Sequence, residues 1–569
     1  MQAIPSSSRQ RLFALGLLVL LVGLAYSNSF GVPFYFDDYG SIIGNPAVQQ
    51  GLNWQALWEF SPERIIPYAS LALNYSLNGL DPGGYHLFNL LIHIISSVLV
   101  YFLTLRLTAG QDDEQAAHWI ALTTALLFAL HPLQTQAVTY IVQRAALLAG
   151  LFYLLAMLAY LQARQRRQPW WLLVCATATA AALLSKQNAA TLPLALLLLE
   201  LTVLPAGRYN RKVAAGLLLL AALATVFALY SPEIAERLRE TRDISRLDYF
   251  RSQALALFIY IGKFFFPTGL RLEYGIQPIT SFNAIVIFCL LAHIAAIVLA
   301  IVLRKIVPLL SFALLFYYLS HAVESSIFPI RDLVFEHRSY LPNWGLALAV
   351  ALLGWRFLAR HLSPRGQTWL LLVPALVLGG MTFVRNAQWR DPFSFYQKNA
   401  ELAPQAGRVW LALSEEYIKR GDTEKALRLL NNALKVEQGG AVTLSLDTAN
   451  QLARIFIMLG ELGQALSVLD QSLASSQPDF PLALRVDMLG NRAIIKTRLG
   501  ELDAAIQDWQ ALLYLNPRHV QGLSSLAALE AARGQHQAAA EHYRRALALD
   551  PDYQPARQGL TALTPHLPR

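Results

Sequence analysis

The sequence predicts an all-α protein in which a polytopic transmembrane helix bundle precedes a soluble α-solenoid of helical repeats. Of the 569 residues, 55% are hydrophobic and only 15% are charged, whereas a soluble domain carries about 25% charged residues. Apolar runs near the length of a membrane span recur up to about residue 385, and the sequence beyond is amphipathic with ordinary charge. Composition and patterning therefore change along one chain and indicate two kinds of domain.

The apolar runs predict about eleven membrane spans, several of them shorter than the roughly 20 residues that an untilted helix needs. With the amino terminus in the cytoplasm, basic pairs such as Arg304 and Lys305 fall on the cytoplasmic side. The first run follows Arg9 and Arg11, which would also fit a signal peptide, but the run is long and its end is a poor cleavage site. The predicted spans are residues 12–30, 86–107, 116–131, 138–161, 169–185, 189–205, 212–230, 282–303, 306–320, 340–358 and 368–384.

Two long loops, residues 31–85 and 231–281, are expected on the external side. The second contains an apolar stretch over residues 254–267, which is too short for a span and suits a re-entrant or interfacial helix. Counting that stretch as a span would also place Arg304 outside, against the rule for basic loops.

The carboxyl-terminal part repeats itself at a fixed period. Pro517 and Pro551 lie 34 positions apart, and so do Gly500 and Gly534. This period, with small residues and a closing proline, is the tetratricopeptide pattern, and residues 409–427 match it well. Each unit is a helical hairpin that must stack on its neighbours to bury its apolar face.

The predicted domains are a membrane domain over residues 1–385, a hinge over 386–404 and a repeat domain over 405–569. An odd number of spans starting in the cytoplasm would place the repeat domain outside.

Polar residues lie at the ends of the predicted spans, and the predicted topology places all of them on the external face. Ionisable residues at membrane depth are rare and usually line a cavity or a pathway. Each residue also has a plainer interpretation, as a helix cap, a loop residue or a side chain that reaches the headgroups. The residues are Asp37, Asp38, His131, Gln134, Gln136, Gln143, Arg144, Lys186, Gln187, Asn188, Glu336, His337 and Arg338.

This set favours transfer chemistry at a lipid phosphate. A carboxylate can act as a general base toward a hydroxyl, and Arg or Lys at the same depth can hold a phosphate. No Ser or Cys nucleophile motif and no glycine-rich phosphate loop occurs in the sequence. The net charge of +9 belongs largely to loops between apolar runs and therefore indicates topology, so nucleic acid is not an expected partner. The two cysteines, Cys175 and Cys289, lie inside apolar runs and predict neither a disulfide nor a zinc site.

Several motifs, in this order along the chain, resemble a known family. FDDYGSIIGNPAVQ, HPLQTQAVTYIVQRAALLAGLFYLLAMLAY, SKQNAATLPLALLLLE, EHRSYLP and WRDP are similar to motifs of the C-type polytopic glycosyltransferases that carry tetratricopeptide repeats. The animal members are the transmembrane-and-tetratricopeptide-repeat O-mannosyltransferases, and the chain resembles a bacterial relative of them over nearly its whole length.

The resemblance implies a polyprenyl-phosphate sugar donor and an inverting transfer on the external face. The acidic pair of the family corresponds to Asp37 and Asp38, so we expect Asp38 to be the base and Asp37 to orient the acceptor, or the reverse. The expected contacts to the donor phosphate are Arg338, Arg144 and Lys186. The expected contacts to the sugar, or to the residues that hold it, are His131, Gln134, Gln143, Gln187, Glu336 and His337.

The resemblance also bears on cofactors and partners. No cofactor is expected to be required, and a divalent metal is not favoured, although some C-type enzymes use one. Related chains often have Glu where this chain has Gln136, which removes an acidic role there. The expected partners are the lipid-linked donor, membrane lipids and a protein or peptide acceptor held by the repeats. The expected location is a bacterial inner membrane, with the repeats in the periplasm.

Two other functions remain open on sequence grounds. The chain could be a non-enzymatic scaffold whose repeats assemble an envelope or pilus complex, with the membrane domain as an anchor. It could also be a polysaccharide ligase, a polymerase or a transporter. An anchor would tolerate neutral residues at Asp37, Asp38 and Arg338, whereas an enzyme would not.

Overall fold

A computed structural model describes residues 8–108, 113–166, 168–204, 213, 215–220, 244–330, 332–430, 446–474 and 482–564. Helices dominate, and no strand occurs within these ranges. The chain separates into two compact units, Met1–Pro404 and Gln405–Arg569. The predicted span over 212–230 and the first part of the predicted loop 231–281 lie mostly outside the described residues.

The first unit is a helix bundle whose longest members are strongly apolar. Its helices are α1 (Ser8–Tyr26), α2 (Pro46–Gln49), α3 (Trp54–Phe60), α4 (Ile65–Asn78), α5 (Pro82–Thr108), α6 (Glu114–Leu130), α7 (Thr135–Thr139), α8 (Arg144–Arg166), α9 (Trp170–Leu183), α10 (Leu192–Thr202), α11 (Arg246–Phe265), α12 (Ala284–Leu303), α13 (Pro308–His321), α14 (Pro342–Phe357), α15 (Pro364–Gln388) and α16 (Pro392–Leu402).

Several of these helices make the chain a multi-pass membrane protein. By length and composition, four described stretches could cross a membrane: α5, Ile141–Gln165, α12 and α15. The pair α6 and Pro132–Thr139 would add a fifth, bent by 51°. Shorter apolar helices cover Gln10–Tyr26, α9 and α13. The number of eleven spans therefore stays a prediction, while the helical membrane class agrees with the sequence analysis.

Close packing of small residues holds the bundle together. Gly345 in α14 lies so close to α13 that an added Cβ would meet the carbonyl oxygen of Ala313 at 2.6 Å. In lipid, helix association depends on such close approach because hydrocarbon tails supply no hydrophobic driving force. The surrounding core consists mainly of Leu, Ala and aromatic side chains, many of them from α5, α6, α8 and α14.

The predicted interfacial stretch over residues 254–267 belongs to a longer helix. Helix α11 begins after Ser245, whose hydroxyl accepts the backbone N–H of Asp248, and it ends at Phe265. Its first turns are polar and its last turns are apolar, which is why the sequence alone showed only the second half as a membrane-associated segment.

The second unit consists of antiparallel helical hairpins, as the 34-residue period predicts. Glycines with φ between 77° and 81° end the first helix of successive hairpins at Gly421, Gly460, Gly500 and Gly534. Each hairpin buries Ala and Leu side chains between its helices and against the next one. Its helices are α17 (Gly407–Lys419), α18 (Leu446–Leu459), α19 (Leu462–Ala474), α20 (Leu482–Leu499), α21 (Leu502–Leu515), α22 (Val520–Ala532), α23 (His536–Leu549) and α24 (Gln554–Leu563).

Candidate active site

The polar turns of the first unit meet one another at one end of its helices. The backbone N–H of Asp37 donates to the hydroxyl of Tyr140 at 2.8 Å, which joins the first loop to the segment before α8. The turn Glu336–Ser339, which we call the EHR turn, contacts α7. The backbone N–H of His337 in this turn donates to Oε1 of Gln136 at 2.8 Å. The backbone N–H of Ile66 donates to the carbonyl of Leu184, which joins α4 to the end of α9. Turns that are far apart in sequence thus form one polar layer.

Three cations from three segments interact in this layer, and two of them act on one buried carboxylate. Nζ of Lys186 lies 2.6 Å from Oε1 of Glu324. Arg338 and Arg64 act electrostatically on Lys186 from the EHR turn and from the start of α4. Burial alone would raise the pKa of Glu324, but Lys186 and Arg338 outweigh burial and lower that pKa below its usual range. We call Arg64, Lys186, Glu324 and Arg338 the cation cluster.

The cation cluster is held in place by neighbouring backbone and aromatic groups. Arg338 donates from Nη2 to the carbonyl of Asp332 at 2.7 Å and from Nη1 to the carbonyl of Leu333 at 3.2 Å. The hydroxyl of Tyr249 donates to the backbone carbonyl of Glu324. These contacts fix the positions of the charges before any ligand arrives, as electrostatic stabilisation requires.

Several buried polar atoms around the cation cluster have no hydrogen-bond partner within the described part of the chain. They are both ring nitrogens of His321, Oε2 of Glu324, Nε2 of Gln187 and Oδ1 of Asn188. A buried polar atom without a partner costs about 1–3 kcal/mol, so such atoms are few in native proteins. Nε2 of Gln187 and one ring nitrogen of His321 can donate hydrogen bonds to an anion beside the cations, whereas Oε2 of Glu324 and Oδ1 of Asn188 require a ligand hydroxyl.

The acidic pair lies at the end of the first loop, and its two members differ in environment. The carboxylate of Asp38 is only 1% exposed and accepts the backbone N–H groups of Tyr35 at 2.9 Å and Val142 at 2.8 Å. Burial raises the pKa of Asp38 to about 8, even though those two donors and Arg144 favour the charged form. Asp37 is exposed, so its carboxylate is the more accessible of the two.

The backbone immediately before the pair is strained. Phe36 has a φ of +36°, the only positive φ of a non-glycine residue among the described positions. Its ring stacks on Tyr396 of α16, with 5.5 Å between the ring centroids. Such strain persists only where surrounding structure over-determines it, and it is concentrated at functional sites. A π-helical turn, Tyr39–Ile43, follows the pair directly. This rare conformation is also frequent at functional sites.

Arg144 lies fully buried at the start of α8 and connects three helices. Its Nε donates to Oδ1 of Asn89 at 2.7 Å, and its Nη2 donates to the carbonyl of Tyr85 at 3.0 Å. Its Nη1 donates to Oδ1 of Asn74 at 2.5 Å and to the carbonyl of Ser70 at 3.1 Å. A guanidinium has five N–H donors, and these contacts direct every nitrogen toward protein acceptors. The geometry therefore favours a structural role for Arg144 over the predicted phosphate contact.

The predicted site residues of the HPLQ turn, residues 131–134, also make hydrogen bonds that hold the fold together. Nε2 of His131 donates to the carbonyl of Phe264 at 2.8 Å, and its Nδ1 accepts the backbone N–H of Leu133. Gln134 donates to the carbonyl of Tyr340 at 3.3 Å. Gln143 is half-buried at the turn into α8. These contacts match the plainer interpretation of the turn as a helix end. Gln187, another predicted contact to the sugar, lies next to Lys186 in a different segment.

Glu336 and His337 are consecutive buried residues of the EHR turn. Oε1 of Glu336 accepts the backbone N–H of Arg271 at 2.6 Å and the hydroxyl of Tyr274 at 3.0 Å. His337 is hydrogen-bonded to Gln136. Burial lowers the pKa of His337 well below its usual value, and the nearby charges of Lys186 and Arg338 lower it further. His337 is therefore a neutral hydrogen-bonding group at neutral pH.

Three charged residues of this layer were missed by sequence reasoning. Arg64 lies in the middle of the first loop, Glu324 follows α13, and Arg385 is in the last turn of α15. Glu324 and Arg385 each lie at the end of a predicted span, so the criterion used for the other polar residues would have found them. Arg64 has no such signal because it lies about 20 residues from the nearest predicted span. Within the described ranges, no group of three or more His, Cys, Asp or Glu side chains is placed to hold a metal ion.

Comparison with known proteins finds relatives of the membrane segment and of the repeat segment. Residues 66–235 match the family model of the dolichyl-phosphate-mannose-protein mannosyltransferases, and residues 491–553 match a tetratricopeptide repeat model. A protein O-mannosyl-transferase, Tmtc2, of Drosophila melanogaster is 34% identical over 193 residues, which are 30% of this chain and 20% of the fly protein. A protein O-mannosyl-transferase of Caenorhabditis elegans is 22% identical over 445 residues, which are 74% of this chain and 62% of the worm protein. The chain thus spans less than two thirds of the length of these relatives.

Among solved structures, ArnT from Cupriavidus metallidurans bound to undecaprenyl phosphate aligns with 84% of this chain and 82% of its own. The sequence identity is 13% and the TM-score is 0.32, which is too low to establish a shared fold. The sequence matches confirm the resemblance that the motifs indicated: the chain joins a segment similar to the dolichyl-phosphate-mannose-protein mannosyltransferases to a tetratricopeptide repeat segment.

Proposed function

We propose that this protein is an inverting glycosyltransferase that moves a monosaccharide from a polyprenyl-phosphate donor to a protein Ser or Thr hydroxyl on the external face of the membrane. The observation that carries the proposal is the cation cluster, in which Lys186 contacts Glu324 while Arg64 and Arg338 act on Lys186. The naming of the relatives as protein O-mannosyl-transferases supports a sugar transfer and a protein acceptor.

The donor phosphate would bind at the cation cluster. Lys186 and Arg338 are buried cations, and a phosphate beside them would accept charge-assisted hydrogen bonds from both. The phosphate would also accept a hydrogen bond from the donor ring nitrogen of His321, which has no partner in the described ranges. Because the cations are already held by the fold, they would stabilise the charge that grows on the departing phosphate without further rearrangement.

The acidic pair would act on the acceptor. Arg64 precedes α4, and Arg144, which interacts with Asp38, bonds to Ser70 and Asn74 in the same helix. Helix α4 thus links the cation cluster to the acidic pair, and the proposal places the anomeric carbon of the bound sugar between the two groups.

We assign the base to Asp37, because its carboxylate is exposed, and a positioning role to Asp38. In the proposed step, the acceptor oxygen attacks the anomeric carbon from the face opposite the phosphate. The new C–O bond forms as the bond to the phosphate oxygen breaks, the electron pair leaves with that oxygen, and the acceptor proton passes to Asp37. One displacement inverts the anomeric centre.

The cofactor and location follow as parts of the same proposal. The cation cluster would supply the positive charge that a divalent metal supplies in other enzymes, so we propose a reaction that needs no metal. We further propose a bacterial inner membrane with a cytoplasmic amino terminus, and periplasmic repeats that bind the protein acceptor.

The proposal is tested by sugar transfer in liposomes. Purified protein would be reconstituted with a labelled polyprenyl-phosphate hexose and a protein extract of the cell envelope, and labelled protein would be counted. Lys186→Gln should reduce transfer at least about 100-fold, since removing one preorganised charge contact costs about 2.7–4 kcal/mol in comparable sites. The control is Lys305→Gln, the same change at an exposed lysine, which should leave transfer unchanged. Equal transfer by Lys186→Gln and the wild type would exclude Lys186 from the donor site, whereas absence of transfer by the wild type would favour the alternative of a non-enzymatic membrane-anchored scaffold.

A further inference from the structure

A second buried charged group lies beyond the cation cluster, between the EHR turn and the end of α15. Glu336 is 1% exposed and Arg385 is 6% exposed. Nη1 of Arg385 donates to Oε1 of Gln388 at 2.8 Å, and its guanidinium lies 5.7 Å from the rings of Trp389 and Phe395. Both side chains are therefore fixed by the fold.

The two side chains share a set of polar atoms that nothing in the described chain satisfies. Oε2 of Glu336 and both Nε and Nη2 of Arg385 are buried and lack hydrogen-bond partners in the described ranges. The two residues attract each other electrostatically, yet no direct ion pair joins them there. A ligand atom between them would supply the hydrogen bonds to water that these buried atoms have lost.

The chemistry of the missing partner is restricted by these three atoms. Nε and Nη2 lie on one edge of the guanidinium plane, so their N–H groups run parallel and suit two neighbouring oxygen atoms. Those oxygens must also supply a hydrogen to the carboxylate oxygen of Glu336. A fully deprotonated anion, such as a phosphodiester or a carboxylate, cannot do so, because it has no hydrogen to donate. A hydroxyl can both accept from Arg385 and donate to Glu336.

The group also lies close to the acidic pair. Arg385 acts electrostatically on Tyr35, and the ring of Tyr35 packs on Trp389 and Phe395 with centroid distances of 5.2 and 5.1 Å. The backbone N–H of the same tyrosine donates to Asp38. Tyr35 therefore interacts both with the Glu336–Arg385 group and with the acidic pair.

We propose that Glu336 and Arg385 form a subsite that binds two neighbouring hydroxyl groups of the donor monosaccharide and thereby helps to select it. This inference rests on the proposed function. It adds a specificity-determining role for Arg385, and it gives Glu336 an acceptor role toward one sugar hydroxyl.

The test compares two lipids and uses the full-length protein in detergent. Dissociation constants would be measured for polyprenyl phosphate and for polyprenyl-phosphate mannose. Arg385→Lys keeps the charge but loses the parallel pair of donors, and Glu336→Gln keeps the oxygen that bonds Arg271 and Tyr274 while replacing Oε2 by a donor. Each variant should lose about 10- to 100-fold in affinity for the mannose lipid and retain its affinity for polyprenyl phosphate. Arg360→Lys, the matched change at an exposed arginine, should alter neither constant.

A second arm needs no variant. The wild type should bind one or two monodeoxy analogues of the mannose lipid about 10- to 100-fold more weakly than the parent lipid, and Arg385→Lys should show no further loss with those analogues. Equal affinity of the wild type for the parent and every monodeoxy analogue would overturn the subsite. So would an equal loss for both lipids in the variants, which would mark Glu336 and Arg385 as structural. Failure of the wild type to bind polyprenyl phosphate at all would instead refute the proposed function.

Discussion

Neighbouring aspartates in this protein have different physical roles because only one of them is enclosed. The carboxylate of Asp38 joins the backbone at Tyr35 to the backbone at Val142, and it therefore fixes the loop against the start of α8. Asp37, one position earlier, is exposed, and its own backbone is held through Tyr140. Asp38 thus holds Asp37 in position.

Asp37→Asn should reduce the rate of sugar transfer by about 100- to 10,000-fold, the usual contribution of a general base. The melting temperature should not change, because an exposed side chain is replaced by one of the same size. Transfer rates and thermal unfolding of the reconstituted protein measure the two effects. A variant with the wild-type rate would show that Asp37 does not accept the acceptor proton.

Asp38→Asn should change how stability depends on pH. An unfolded aspartate has a pKa of about 3.9, and burial raises the pKa of Asp38 to about 8 in the folded protein. Between these values the folded state keeps a proton that the unfolded state has lost, so stability falls as pH rises through this window. Asparagine does not titrate. Melting temperatures at about pH 5 and about pH 9 should therefore fall more steeply for the wild type than for the variant, and parallel curves would contradict the shifted pKa.

At the scale of elements, α4 is the piece that connects the two halves of the candidate site. Its start carries Arg64 of the cation cluster, and its middle accepts hydrogen bonds from Arg144 through Ser70 and Asn74. The side chain of Asn89 in α5 accepts from the same guanidinium. Arg144 therefore determines where α4 lies relative to α5 and α8.

Arg144→Lys should destabilise the protein by about 3–5 kcal/mol, the cost of breaking a buried charged network. A lysine keeps the charge but offers a single nitrogen, which leaves buried acceptors on Asn74, Asn89 or Tyr85 without donors. Thermal unfolding in detergent measures the loss. The folded fraction should bind polyprenyl phosphate as the wild type does, and a specific loss of that binding with unchanged stability would restore the phosphate-contact role that the sequence predicted.

The repeat hairpins depend on a glycine at each turn, and Gly500 tests this. Its φ is +81° and no atom lies within 4 Å of an added Cβ, so Gly500→Ala should cost about 1–2 kcal/mol through backbone strain alone. Gly463 lies inside α19 with equally open surroundings, and Gly463→Ala should stabilise the repeats by about 0.5–1 kcal/mol. Urea unfolding of the repeat domain, residues 405–569, measures both, and equal effects of one sign would contradict the assignment of Gly500 to a left-handed turn.

Across the whole molecule, the sequence predicted features that depend on a repeated pattern. It did not predict features that depend on a single contact between distant residues. The helical class and the repeat period follow from hydrophobic spacing. Lys186 and Arg338 interact, as their places at the ends of predicted spans suggested, while the convergence of Asp38 with them stays a prediction. The partners of Arg144 could not be predicted, because Asn74 and Asn89 lie on other helices. The number of spans was also uncertain, because a short apolar helix inside a bundle has the same composition as one that crosses the bilayer.

The repeats supply the last prediction, since they are tethered to the membrane unit on one chain. A tether raises the effective concentration of a bound acceptor near the reaction centre, to the millimolar range for short linkers. Removal of residues 405–569 should therefore leave slow transfer to a short hydroxyl-bearing peptide at high concentration and greatly reduce transfer to the natural protein acceptor. Adding the separate repeat domain should not restore transfer, because the tether is lost. Unchanged modification of the protein acceptor by the truncated chain would mean that the membrane unit, Met1–Pro404, recognises its acceptor without the repeats.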